Sequence, residues 1–147
     1  MLRRAGLQAL LALLELAQNP GEWRSVNAIA AAQNLPAPML EQLLLQLRRA
    51  DLVEARRGRL GGYRLGHPPA AIPVGRVLEA VGAELRLETM PQAAPSGDAE
   101  QRVLRGMARR LQAALERELA TLTLEELLFD LSSWQETLGN AGGVMLG

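Results

Sequence analysis

The sequence predicts a mainly α protein: a winged helix-turn-helix domain with a two-stranded wing, followed by a long C-terminal dimerisation helix. Three observations predict it. Two helical patterns are joined by a short proline-bearing connector between Asn34 and Pro38. A glycine- and arginine-rich stretch, Arg57 to Gly62, then separates two strand-like runs. Further on, a leucine stripe recurs at helical spacing from Leu104 to Leu122.

The first helix is expected over residues 2–18, where Leu7, Leu10, Leu11, Leu14 and Ala17 recur at helical spacing. Asn19-Pro20-Gly21 stops it. Ser25 can cap a second, short helix over Val26–Gln33, with Ile29 and Ala30 facing inward. Pro36 and Pro38 set φ near the value a helix start needs, where a missing N–H costs nothing. A third helix then runs to about Ala50, its buried stripe formed by Leu40, Leu43, Leu44 and Leu47. Two helices joined by so short a turn make a helix-turn-helix. Leu52 to Arg56 reads as a strand and Tyr63-Arg64-Leu65 as its return, with Gly58, Gly61 and Gly62 in the reversing loop. A hairpin directly after the third helix is a wing.

Pro73 opens a fourth helix containing Val74, Val77, Leu78 and Val81. Residues 89–98 hold two prolines and no periodicity, as in a loop or linker. A long helix over about 99–122 carries Leu104, Met107, Leu111, Leu115, Leu119 and Leu122 on one stripe. Thr123, with Glu126 three residues on, forms a capping box that starts a short last helix through Trp134. The expected organisation is a DNA-binding domain at 1–82, a linker or loop at 83–98, the dimerisation and short C-terminal helices at 99–138, and a loose tail at 139–147.

Composition narrows the function. The chain has 147 residues, 48% hydrophobic and 22% charged, with aromatics at 3%. That is an ordinary globular balance, with a core filled mainly by aliphatic side chains. There is no cysteine, which removes disulfides, thiolate metal sites and a Cys nucleophile. The single histidine, His67, stands beside Pro68 with no clustered acids at catalytic spacing, so an enzyme is not expected. Gly61-Gly62 is a turn and no phosphate loop, because no Gly-Lys-Ser/Thr follows. The apolar run after Arg3-Arg4 superficially resembles a signal peptide, but Gln8 and Glu15 break it and no cleavage site follows. It is too short to span a bilayer. A cytoplasmic protein without a membrane partner is expected.

Net charge is zero, yet unevenly placed. Residues 1–66 carry nine arginines against five carboxylates, net +4; residues 67–147 carry seven against eleven, net −4. A basic half beside an acidic half fits a module for double-stranded DNA joined to something else, although ordinary scatter can also produce it. Turning the leucine stripe of the third helix inward, at about 100° per residue, leaves Pro38, Gln42, Leu45, Gln46 and Arg49 outward, with Glu41 at the flank. Glutamine can pair with adenine, and glutamate can accept from cytosine N4. The plainer reading is that both are simply solvated. In the wing, Arg57 and Arg59 flank Gly58 and can reach phosphates or a minor groove, where guanidinium groups are attracted. Leu45 can touch a thymine methyl or pack within the fold.

These segments also resemble a known family. Met39-Leu40-Glu41-Gln42-Leu43-Leu44, Leu47-Arg48-Arg49-Ala50-Asp51-Leu52-Val53, Arg57-Gly58 and Gly61-Gly62-Tyr63-Arg64-Leu65 resemble the Rrf2 family of bacterial winged-helix regulators. Relatives include the iron–sulfur cluster regulator, the nitric-oxide-sensing repressor and the cysteine-metabolism repressor. The likeness continues through 72–81 and into Leu122-Thr123-Leu124-Glu125-Glu126-Leu127, after the family's dimer helix. It implies DNA binding with Glu41 and Gln42 at reading positions. Met39 departs from a family tyrosine, Asp51 from a turn glycine, and Arg59-Leu60 from Pro-Gly. Many members carry three cysteines before the dimer helix; this chain has none, so no cofactor, and no iron–sulfur cluster, is expected.

A helix of some 36 Å, at 1.5 Å per residue, is too long for one small domain to cover. Pairing with a second copy buries its stripe and presents two wings to two half-sites. The expected function is a sequence-specific transcriptional regulator, a repressor acting as a homodimer on a palindromic operator. The alternative is a winged-helix interaction module that regulates through a partner protein, with weak or no DNA binding.

Overall fold

The structure, a computed structural model, describes residues 2–87 and 98–146. Helix α1 (Arg4–Ala17) lies at the centre of the N-terminal domain and buries Ala9, Leu10, Ala12, Leu13, Leu16 and Ala17. Helices α2 (Val26–Gln33) and α3 (Ala37–Arg49) pack on it as the helix-turn-helix. Ser25 Oγ accepts from the Ala28 N–H at 3.0 Å, satisfying a donor that the helix cannot. The helix ends at Asn34 with φ 53°, a left-handed conformation that asparagine tolerates better than most residues.

The wing is an antiparallel pair, β1 (Val53–Arg56) and β2 (Gly62–Leu65), in the register Val53 to Leu65 and Arg56 to Gly62. Its base is buried through Val53 and Leu65 while residues 56–60 are exposed. Asp51, which leads from α3 into β1, has φ 65°; this is the place where the Rrf2 pattern has glycine.

After a 3-10 turn (Pro69–Ala71), helix α4 (Val74–Ala80) returns to α1 and buries Val74, Val77 and Leu78. Gly6 permits the close approach, since a Cβ there would stand 2.7 Å from Leu78 Cδ2. Helices α5 (Ala99–Thr121) and α6 (Leu124–Leu146) complete the chain. Their junction is sewn to the start of α4 by Val74 N–H to Leu122 O at 2.8 Å and Leu124 N–H to Ile72 O at 2.9 Å. The capping box forms: Thr123 N–H donates to Glu126 Oε2 at 3.1 Å, and Glu126 N–H donates to Thr123 Oγ1 at 3.4 Å.

Two expectations change. The last helix does not stop at Trp134, and the stretch read as a loose tail is helical as far as Leu146. Nothing after Thr123 breaks a helix outright: no proline follows, and glycine costs a helix only about 1 kcal/mol each. The linker expected at 83–98 lies mostly outside the described residues; its first part, Ala83–Leu87, has no regular structure. Among the described residues, no helix is long and apolar enough to cross a membrane.

Candidate nucleic-acid interface

The outward face of α3 is set by what the helix buries. Leu40, Leu43, Leu44 and Leu47 all enter the core, which fixes the rotation of the helix about its axis. Pro38, Glu41, Gln42, Gln46 and Arg49 are therefore exposed. Leu45, outward on the helical wheel, is half-buried. Among the described residues, Glu41, Arg48 and Arg49 form no ion pair.

The four arginines of the wing divide into two pairs. Arg56 and Arg64 lie over the Trp23 ring, with guanidinium carbons 4.6 and 4.3 Å from its centroid. Arg56 also donates to the Leu60 carbonyl at 2.6 Å, and Arg64 to Glu54 at 2.8 Å. These two are held. Arg57 and Arg59, with Gly58 between them, are exposed and in no ion pair among the described residues. Leu60 beside them is 80% exposed. Gly58 has φ 105° and open space around it. Gly61 and Gly62 are required more strictly, because a Cβ would sit 2.1 Å from Arg56 O and 2.2 Å from Arg24 O respectively.

Sequence reasoning missed Trp23 and Arg24; of residues 23–25 it read only Ser25, as the cap of α2. Arg24 exchanges two backbone hydrogen bonds with Tyr63, at 2.9 and 2.7 Å, adding an edge to the wing. Its side chain reaches Glu15 of α1 at 3.0 Å, and Glu15 also accepts from Gln33 at 2.7 Å. One signal was available: in a chain with 3% aromatics, a tryptophan just before a helix cap and an arginine-rich hairpin ahead is a stacking pair in waiting.

The leucine stripe of α5 also divides. Leu104, Met107 and Leu111 are 42, 51 and 51% exposed. Leu119 and Leu122 pack partly against the core of their own chain, and Leu115 is half-buried. Gly75 of α4 allows this docking: a Cβ there would meet Leu119 Cβ and O, both at 3.0 Å.

Residues 2–130 match the model of the Rrf2 family, described as iron-dependent transcriptional regulators. The chain belongs to the Rrf2 family. It is 42% identical over 130 residues to a helix-turn-helix transcriptional regulator of Synechocystis sp., covering 87% of each chain. It is 34% identical over 124 residues to the regulator CymR of Bacillus subtilis, covering 83% of this chain and 85% of that one. Among solved structures, CymR of B. subtilis, the global cysteine regulator, superposes with a TM-score of 0.71 at 32% identity, over 87% of this chain and 95% of that one. IscR of T. potens superposes with a TM-score of 0.73 at 29% identity, over 92% and 90%. The fold is thus the winged helix-turn-helix of Rrf2 regulators.

The residues present do not fit the iron that the family description implies. The chain has no thiolate. His67 is its one imidazole, with Nε2 3.5 Å from Asp51, and among the described residues no three of His, Cys, Asp and Glu converge as metal ligands.

Proposed function

We propose that this Rrf2-family regulator acts as a homodimer in the cytoplasm, binds double-stranded DNA at a palindromic operator, and represses transcription from it. The observation that carries the reading is the wing and the exposed face of α3: two arginines at the wing tip and two on α3, Arg48 and Arg49, are engaged by no carboxylate among the described residues. Exposed arginines with no carboxylate of their own, gathered beside a glycine loop, are available to neutralise DNA phosphates and release their counterions.

In this arrangement α3 enters the major groove from its N-terminal end. Gln42 pairs with a base edge, Glu41 accepts from a cytosine amine, and Pro38 lies against the bases at the helix start. Arg49 takes a backbone phosphate. Arg57 and Arg59 enter the neighbouring minor groove, and Gly58 lets the backbone between them approach closely. Leu104, Met107 and Leu111 meet the same residues of a second chain, with Leu115, Leu119 and Leu122 continuing the seam where their own core leaves them uncovered. The pair then places two α3 helices on two half-sites.

Selection of bound fragments from random or genomic DNA by the purified protein tests this reading. A two-fold symmetric sequence is expected. Enrichment of no sequence over bulk DNA would contradict it.

A further inference from the structure

A two-stranded hairpin on its own is marginal in water, and this one has four residues in each strand with only Val53 and Leu65 buried at its base. Its tip needs a fixed direction if Arg57 and Arg59 are to meet DNA. Three consecutive residues supply the fixing. Arg24 pairs its backbone with Tyr63 and its side chain with Glu15 of α1. Ser25 caps α2, the first helix of the helix-turn-helix. Trp23, half-buried, lies against both Arg56 of β1 and Arg64 of β2. The same short segment thus ties wing, α1 and α2 together, and Trp23 alone of the three touches side chains of both strands.

The partners of the stack are themselves fastened. Arg56 holds the loop through the Leu60 carbonyl at 2.6 Å, so the stack restrains the turn as well as the strand. Arg64 is held by Glu54, directly across the ladder. An aromatic face attracts guanidinium groups through its quadrupole and holds them flat, which competes with their reaching for a phosphate.

We propose that Trp23 is a positioning residue for DNA binding: by stacking with Arg56 and Arg64 it sets the angle of the wing and leaves only Arg57 and Arg59 to reach the groove. The inference rests on the DNA-binding reading above. Trp23 itself makes no contact with DNA, so its effect passes entirely through the wing tip.

The test is a double-mutant cycle read by fluorescence anisotropy on a duplex selected by the wild-type protein. Trp23→Leu keeps apolar bulk without the π face, and Trp23→Phe keeps a smaller π face. The expected result is a loss of roughly tenfold in affinity for Trp23→Leu, and binding within about threefold of wild type for Trp23→Phe. Placed on top of Arg57→Ala/Arg59→Ala, Trp23→Leu causes no further loss. Wild-type affinity in Trp23→Leu, or a tenfold loss that persists in full without the two arginines, overturns the inference. If Trp23→Leu fails to fold by circular dichroism, Arg56→Gln, which removes one face of the stack at an exposed site, is read through the same cycle with the same expected and opposing results. A wild-type protein that binds no selected duplex refutes DNA binding itself, while wild-type binding that falls with Arg57→Ala/Arg59→Ala but ignores Trp23 refutes the positioning role alone.

Discussion

Arg24 and Tyr63 face each other along the open edge of β2 and exchange both backbone hydrogen bonds, at 2.9 and 2.7 Å. The pairing brings the strand so close that only glycine fits next to Tyr63, at Gly62 with φ 143°. This contact sets the first of four expectations.

Gly62→Ala should cost about 2–3 kcal/mol of stability, because its Cβ would overlap the Arg24 carbonyl and the backbone would have to move. Gly58→Ala, strained at φ 105° but in open space, should cost about 1–2 kcal/mol. Urea denaturation of the two variants checks the order; equal losses would mean that the close approach to Arg24 is not what requires the glycine.

Arg57→Ala and Gln42→Ala should fail in different ways. Removing the arginine weakens binding to every sequence and lowers the salt dependence by about one counterion per half-site. Removing the glutamine relaxes preference at one base pair, by about 1–3 kcal/mol, and leaves the salt slope alone. Binding isotherms on matched and single-substituted duplexes at several salt concentrations separate the two.

Leu111→Glu should shift the protein from dimer to monomer in sedimentation while the winged domain melts nearly unchanged, since Leu111 is half-exposed in the single chain. Leu119→Glu should instead lower the melting temperature, because Leu119 packs on its own core. The paired result reports where along α5 the proposed contact between copies lies.

Gly75→Val should loosen α5 from α4, at about 1–3 kcal/mol, since even a Cβ there meets Leu119 at 3.0 Å. Hydrogen exchange along α4 and residues 115–121 is the measurement; unchanged protection would deny that this glycine seats the long helix.

Much of the architecture was legible because local signals and burial agree. Ser25 reads as a cap and is one, Thr123 and Glu126 read as a capping box and bond as one, and the four leucines of α3 read as a buried stripe and are buried. The end of α6 was not, because glycine weakens a helix without ending it and no stronger breaker stands there. Leu119 and Leu122 carry the same pattern as Leu104 and Leu111, yet face their own core; periodicity marks an apolar stripe but not what covers it. The role of Trp23 depends on residues 33 and 41 positions away, a pairing that no local window contains.

Chemical footprinting of the protein on a selected operator tests the central claim most directly. Two major-groove protections about one helical turn apart, each flanked by a minor-groove protection lost in Arg57→Ala/Arg59→Ala, are predicted. Uniform protection without groove preference, or a flank that survives removal of both arginines, would contradict it.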